Sequence, residues 1–144
     1  MKKILLLTTA FVLTLSAMSQ SKVDSVVKFN VEKYDFGKIK LGNPVTYSFE
    51  IKNISDKPVV VSNSWASCGC TTPEKIVDPI MPGATALLKV QYNAATVAPF
   101  SKDVYIQFAG IETPKTVHIT GEVLSVEAYD QYVKTKAKDS KTDN

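Results

Sequence analysis

The stretch SCGCTTP, residues 67–73, holds both cysteines of the chain, Cys68 and Cys70, with only Gly69 between them. Elsewhere the 144 residues include a single histidine, His118, and no arginine. Two sulfurs at this spacing admit a local disulfide, thiol–disulfide exchange, or half of a soft-metal site. Residues two apart on an extended chain have Cα atoms about 6.6 Å apart, near the upper limit a disulfide accepts, so a bridge requires a turn. Gly69 lacks a Cβ and is expected to permit that turn by adopting positive φ. In an exported chain the pair is expected to be oxidised. The bridge would close about three residues and contribute only about 1.6 kcal/mol through chain entropy. A fold staple is therefore a weak reason for it, and two others stay open: shaping of a binding loop, and redox chemistry.

Other chemistry finds fewer residues to carry it. Copper(I) would suit the two sulfurs, whereas zinc would want two further donors. With strands alternating in direction, His118 is expected at the opposite pole, roughly 15–20 Å from the sulfurs and on a solvent-facing position. No metal is expected. No serine stands in a Gly-x-Ser-x-Gly setting and no carboxylates pair recognisably, so neither an enzyme nor a cofactor is expected. Trp65, Ser67, Gly69, Thr71 and Thr72 flank the sulfurs and make up the expected contact surface, with Trp65 read first as a core or rim filler. Asn53, in Asn-Ile-Ser, fits a glycosylation acceptor and equally a turn residue.

The elements that must present this loop follow from local patterning. Residues 45–52 alternate without fault, with Val45, Tyr47, Phe49 and Ile51 on one side and Thr46, Ser48, Glu50 and Lys52 on the other. That is the period of a strand with one dry face. The same alternation recurs with Val104, Ile106 and Phe108, and with Val117, Ile119 and Val123. Runs at 59–62 and 86–92, and a weaker one at 75–78, are short and bounded by Asn, Asp, Pro and Gly. At the front, Phe29 and Val31 share a parity that Tyr34 and Phe36 do not, so the first strand is expected to break near Lys33, as at a bulge. About seven antiparallel strands result, and an all-β, immunoglobulin-like two-sheet sandwich over residues 28–124 is the expected packing.

Both ends read differently. Residues 1–19 have a basic start, an apolar run at 4–15, and Ala17 and Ser19 where a signal peptidase cuts. This predicts a signal peptide and an exported protein, periplasmic or secreted. The run is too short to span a bilayer and no cysteine follows the cut, so no membrane anchor is expected. Removing Lys2 and Lys3 from 17 lysines leaves 15 basic against 14 acidic residues, a net charge of +1. Without arginine or a strong positive field, nucleic acid is not an expected partner. Residues 20–27 read as a polar lead-in, and residues 125–144 as a flexible, lysine-rich tail.

The strings YDFGKIKLGNPVTYSFEIKN, SCGCTTP, PIMPGATALLKVQYN, PFSKDVYI and HITGEV resemble, in this combination, the bacterial domain of unknown function 1573, a relative of Hydin-like immunoglobulin domains. The resemblance spans about residues 29–123. It implies an exported, Bacteroidota-type protein with a seven-stranded sandwich, and it implies no activity. Within it, Cys68, Gly69, Cys70 and Thr71 occupy the family's Cys-Gly-Cys-Thr positions. The expected function is a non-enzymatic module that binds an envelope or extracellular protein, or scaffolds the envelope, through this loop or a sheet edge. The alternative is redox or copper chemistry at the two sulfurs.

Overall fold

A computed structural model describes residues 23–142, those beyond Lys138 by backbone alone. The predicted signal peptide lies outside the described residues. Among the described residues there are eight strands: β1 (Val27–Phe29), β2 (Lys33–Lys40), β3 (Val45–Asn53), β4 (Val61–Ala66), β5 (Thr71–Pro73), β6 (Thr85–Tyr92), β7 (Pro99–Phe108) and β8 (Lys115–Leu124). They form two four-stranded sheets in the orders β1-β3-β6-β5 and β2-β8-β7-β4. The result is an immunoglobulin-like β-sandwich.

The dry faces are those the alternation marks. Phe49 and Ile51 of β3, Leu88 and Val90 of β6, Val104, Ile106 and Phe108 of β7, and Val117, Ile119 and Val123 of β8 are all buried between the sheets. Their removal from water is the main stabilising contribution, roughly 25 cal/mol for each Å² of apolar surface. An aromatic seam joins the layers: Tyr34 of β2 stacks on Tyr47 of β3 at 3.6 Å, and Tyr92 of β6 stacks on Phe100 of β7 at 3.9 Å. Phe100 lies so close over Gly121 that a Cβ there would sit 2.7 Å from the ring. Gly121 is thus a packing requirement.

Several local expectations are corrected. The sandwich is mixed, because β2 runs parallel to β8 while the other pairings are antiparallel. The parity slip near Lys33 is real, but it marks a crossing between sheets: β1 pairs with β3 and β2 with β8. Asn30 holds that crossing by donating its backbone N–H to Glu50 O and accepting from Glu50 N–H through Oδ1. A true bulge lies further on, between Asp35 and Lys38, where Gly37 has φ +65°. The run at 59–62 becomes a strand only from Val61. The segment 75–78 is not a strand; the pairing falls on Thr71–Pro73, where Thr71 is buried against β6. The lead-in is not merely polar, since Val23 and Val27 are fully packed into the core.

The largest correction is at the C-terminus, where the expected flexible tail is a helix, α1 (Val126–Thr142). Ser125 caps it, accepting Ala128 N–H through Oγ at 3.2 Å while its carbonyl accepts Tyr129 N–H. Tyr129 and Tyr132, three apart and so on one side, lie near Lys40 and Lys38 of β2 at 6.0 and 4.9 Å. Lys40 Nζ also pairs with Asp130 at 2.8 Å. Composition alone missed these contacts because the helix's partners are about ninety residues away in sequence.

Candidate functional site

The Cys-Gly-Cys loop is the corner at which the chain leaves one sheet for the other. β4 is an edge of the second sheet and β5 an edge of the first, with residues 67–70 between them. Both flanks are tied by backbone hydrogen bonds: Ser67 N–H to Asp103 O at 2.9 Å, and Asn93 N–H to Cys70 O at 3.0 Å. Thr71 N–H closes the turn on Cys68 O at 3.3 Å. The turn brings the cysteine Cα atoms to 5.3 Å and their sulfurs into contact, well inside the span a disulfide tolerates.

Gly69 does not supply positive φ, correcting the expectation; it is exposed, and a Cβ there would meet nothing within 4 Å. The turn closes with ordinary dihedrals, so the glycine keeps the rim of the loop bare and is not needed to bend it. On either side of it Cys68 and Cys70 are half-buried, Cys70 packing against the core. The Thr71 side chain is only 4% exposed, and its Oγ1 lies 3.8 Å from Cys68 Sγ and 3.9 Å from Cys70 Sγ. One hydroxyl therefore serves both sulfurs.

The five flanking residues do not share one surface. Trp65, 38% exposed, lies on the outer face of the β2-β8-β7-β4 sheet and stacks on Tyr105 of β7 at 5.4 Å. Ser67 joins that face, its Oγ accepting Asp103 N–H at 3.2 Å. Thr71 turns inward, and Thr72 opens onto the other sheet beside Thr46, Glu74, Lys89 and Gln91.

His118 is not at the opposite pole. Ala66 pairs with Val104 and Val104 with Val117, so β4 stops midway along the sheet and Ser67 is already level with His118. Two strand spacings separate them, about 10 Å. The alternating-direction estimate failed because it took β4 to run the full length of the sheet. His118 Nδ1 is 2.7 Å from Asp103 Oδ1, and Tyr105 Oη donates to Asp103 Oδ2 at 3.4 Å. Trp65, Tyr105, Asp103 and His118 thus form one continuous outer patch. Strand parity put Asp103, Tyr105 and His118 on outward positions, whereas Trp65, read first as a core or rim filler, is 38% exposed on the same face; only register makes the four neighbours.

Among the described residues, no three His, Cys, Asp or Glu side chains converge as a metal-binding set. Asn53, the other polar candidate, is fully buried. Its Nδ2 donates to Lys57 O and Ile80 O, both at 2.7 Å, and its Oδ1 accepts from Ser55 N–H and Ser55 Oγ. An amide so enclosed is a turn residue, and a glycan has no room there.

A family model described as a protein of unknown function, DUF1573, matches residues 27–123. No curated protein matches the chain. Among solved structures, a protein of unknown function from Porphyromonas gingivalis W83 superposes with TM-score 0.59 at 17% identity, over 67% of this chain and 46% of its own. The chain therefore spans under half of that relative. The human CEP192 ASH/PapD-like domain 7 gives 0.56 at 9% identity over 70% and 87%, and the secreted serine protease VesC from Vibrio cholerae 0.55 at 12% over 69% and 23%. At these identities the likeness is one of fold.

Proposed function

The chain belongs to the DUF1573 family of proteins of unknown function, and from that premise we propose that it is an exported, non-enzymatic module that binds an envelope or extracellular protein. The contact surface is the outer patch of Trp65, Tyr105, Asp103 and His118 together with the rim of the Cys-Gly-Cys loop. The observation that carries this reading is Trp65: a large ring 38% exposed, held rigid by its stack on Tyr105 and bordered by hydrogen-bonded polar groups. Protein interfaces are enriched in such pre-ordered aromatics, because they bury much area at little entropic loss. In the exported protein Cys68 and Cys70 are bridged, a reading supported by the contact of the sulfurs and the 5.3 Å Cα separation. Export itself rests on the signal-like residues 1–19.

The test is cross-linking in intact cells that express the full chain, with fractionation and N-terminal mass spectrometry of the product. The expected result is a product beginning at Gln20 in the periplasm or medium, cross-linked to a discrete partner. Trp65→Ala and Tyr105→Ala should lose that partner while keeping the β-sheet circular dichroism spectrum. The same cross-link at the same yield in both variants would rule out this surface, and a cytoplasmic, uncleaved product would rule out export.

A further inference from the structure

We propose that the Cys68–Cys70 bridge is a two-electron acceptor for thiols, so that the loop exchanges disulfides with a dithiol partner as well as presenting a surface. This rests on the bridged state inferred above. Three independent features converge on it.

The first is that the bridge holds almost nothing in place. The loop's flanks are fixed by Ser67 to Asp103, Cys70 to Asn93, and the pairing of β5 with β6, none of which involves sulfur. The closed ring spans a sequence separation of two, so reopening it returns little chain entropy. Bridges that stabilise secreted domains staple long loops; this one does not.

The second is access. Cys68 and Cys70 are half-buried and flank an exposed glycine that has no side chain to cover them. Exchange depends on an incoming thiolate reaching one of the sulfurs.

The third is Thr71. A threonine 4% exposed with its hydroxyl close to both sulfurs is an unusual use of a buried polar group. A bridge carries no charge and gains little from a donor. A departing thiolate gains a great deal, because a hydrogen bond to a charged group is roughly twice as strong as a neutral one. The hydroxyl can swing to whichever sulfur leaves.

The exchange balances as follows. One thiolate of a dithiol partner attacks Cys68 Sγ or Cys70 Sγ, forming a mixed disulfide as the Cys68–Cys70 bond breaks. The other cysteine departs as a thiolate, receives the Thr71 hydrogen bond, and takes up a proton. The partner's second thiol, as thiolate, then attacks its own sulfur in the mixed disulfide. The partner is released oxidised and both cysteines end as thiols, two electrons and two protons having passed to the loop. Thr71 is a positioning residue in this step; the sulfurs are the reacting atoms.

The experiment uses the mature chain purified without reductant, with dithiothreitol and a reduced/oxidised glutathione series as probes. Thiols are trapped by alkylation and counted by mass spectrometry, and circular dichroism is followed in parallel. The expected result is no alkylation before reductant, reduction by millimolar glutathione, and an unchanged spectrum afterwards. Thr71→Val should slow reduction by about tenfold, the kinetic equivalent of losing one hydrogen bond to a thiolate, and Thr71→Ser should restore it. Two alkylated cysteines before any reductant would refute the bridge on which the proposal stands. A bridge that forms but survives excess dithiothreitol in folded protein would refute the proposal alone. A Thr71→Val variant that folds and reacts as fast as wild type would remove the role given to Thr71.

Discussion

The chain crosses between its sheets several times, and two successive crossings, at the opposite ends of β4, are built from opposite materials. Between β3 and β4 the crossing is organised by Asn53, fully buried, with both amide hydrogens and the amide oxygen engaged by Lys57, Ile80 and Ser55. Between β4 and β5 it is organised by two half-buried sulfurs, one hydroxyl and a bare glycine. The first arrangement satisfies the polar atoms of the Asn53 side chain within the fold. The second is tied by the backbone hydrogen bonds of its flanks, its sulfurs adding the contact with Thr71 Oγ1 and the packing of Cys70 against the core. One end is held by a closed polar network and the other by its flanking backbone.

That contrast is sharpest in the predicted effect of removing each organiser. Asn53→Ala removes one of two donors from each of the carbonyls of Lys57 and Ile80, which keep Ser55 Oγ and Val59 N–H, and takes the acceptor from Ser55 N–H; losing these hydrogen bonds costs about 3 kcal/mol in all. Urea denaturation should show the midpoint falling accordingly, and a variant as stable as wild type would erase the distinction between the two ends. Replacing Cys68 and Cys70 together by Ser should lower stability by about 1.6 kcal/mol or less. A loss as large as that of Asn53→Ala would make the bridge a structural staple.

The closed end carries a second tie that pH can read. Lys115, with its side chain 11% exposed, lies 2.7 Å from Asp24 and 2.6 Å from Glu32. Burial opposes its charge, but hydrogen bonds and attraction to both carboxylates outweigh burial and hold its pKa above the usual lysine value. A cation favoured in the fold stabilises it fully below the ordinary lysine pKa, and the gain disappears as pH climbs through the raised value. Lys115→Met should lose about 1 kcal/mol at neutral pH, and the gap from wild type should close in strongly alkaline buffer. Tyr92, whose pKa burial raises, titrates in both proteins and cancels in that difference. A gap that stays constant with pH would mean that packing, not charge, makes the tie. The smallest effect belongs to the open end: Trp65→Ala should alter stability by less than about 0.5 kcal/mol while abolishing partner capture.

Much of the fold was legible because strand alternation is a local signal. Val104, Ile106 and Phe108 declare their buried side with no knowledge of what covers them, and they are buried as expected. The candidate site was legible only as a string. Cys68 and Cys70 stand out by type and spacing, whereas Tyr105 and Asp103 looked like ordinary outward residues until register placed them beside Trp65 and His118. The helix was half-visible, since Ser125 and the spacing of Tyr129 and Tyr132 are helix signals. Its sparse apolar residues favoured disorder until Lys38 and Lys40 supplied a surface to dock on.

The sequence by itself determined which side of each long strand meets the core, the corner that holds the sulfurs, and the family to which the chain belongs. The tertiary structure alone decided which strands share a sheet, that β2 runs parallel to β8, and that His118 sits level with Ser67. The reason is physical: side-chain period is set by each residue's own backbone, whereas partner and register come from the joint packing of segments far apart in the chain.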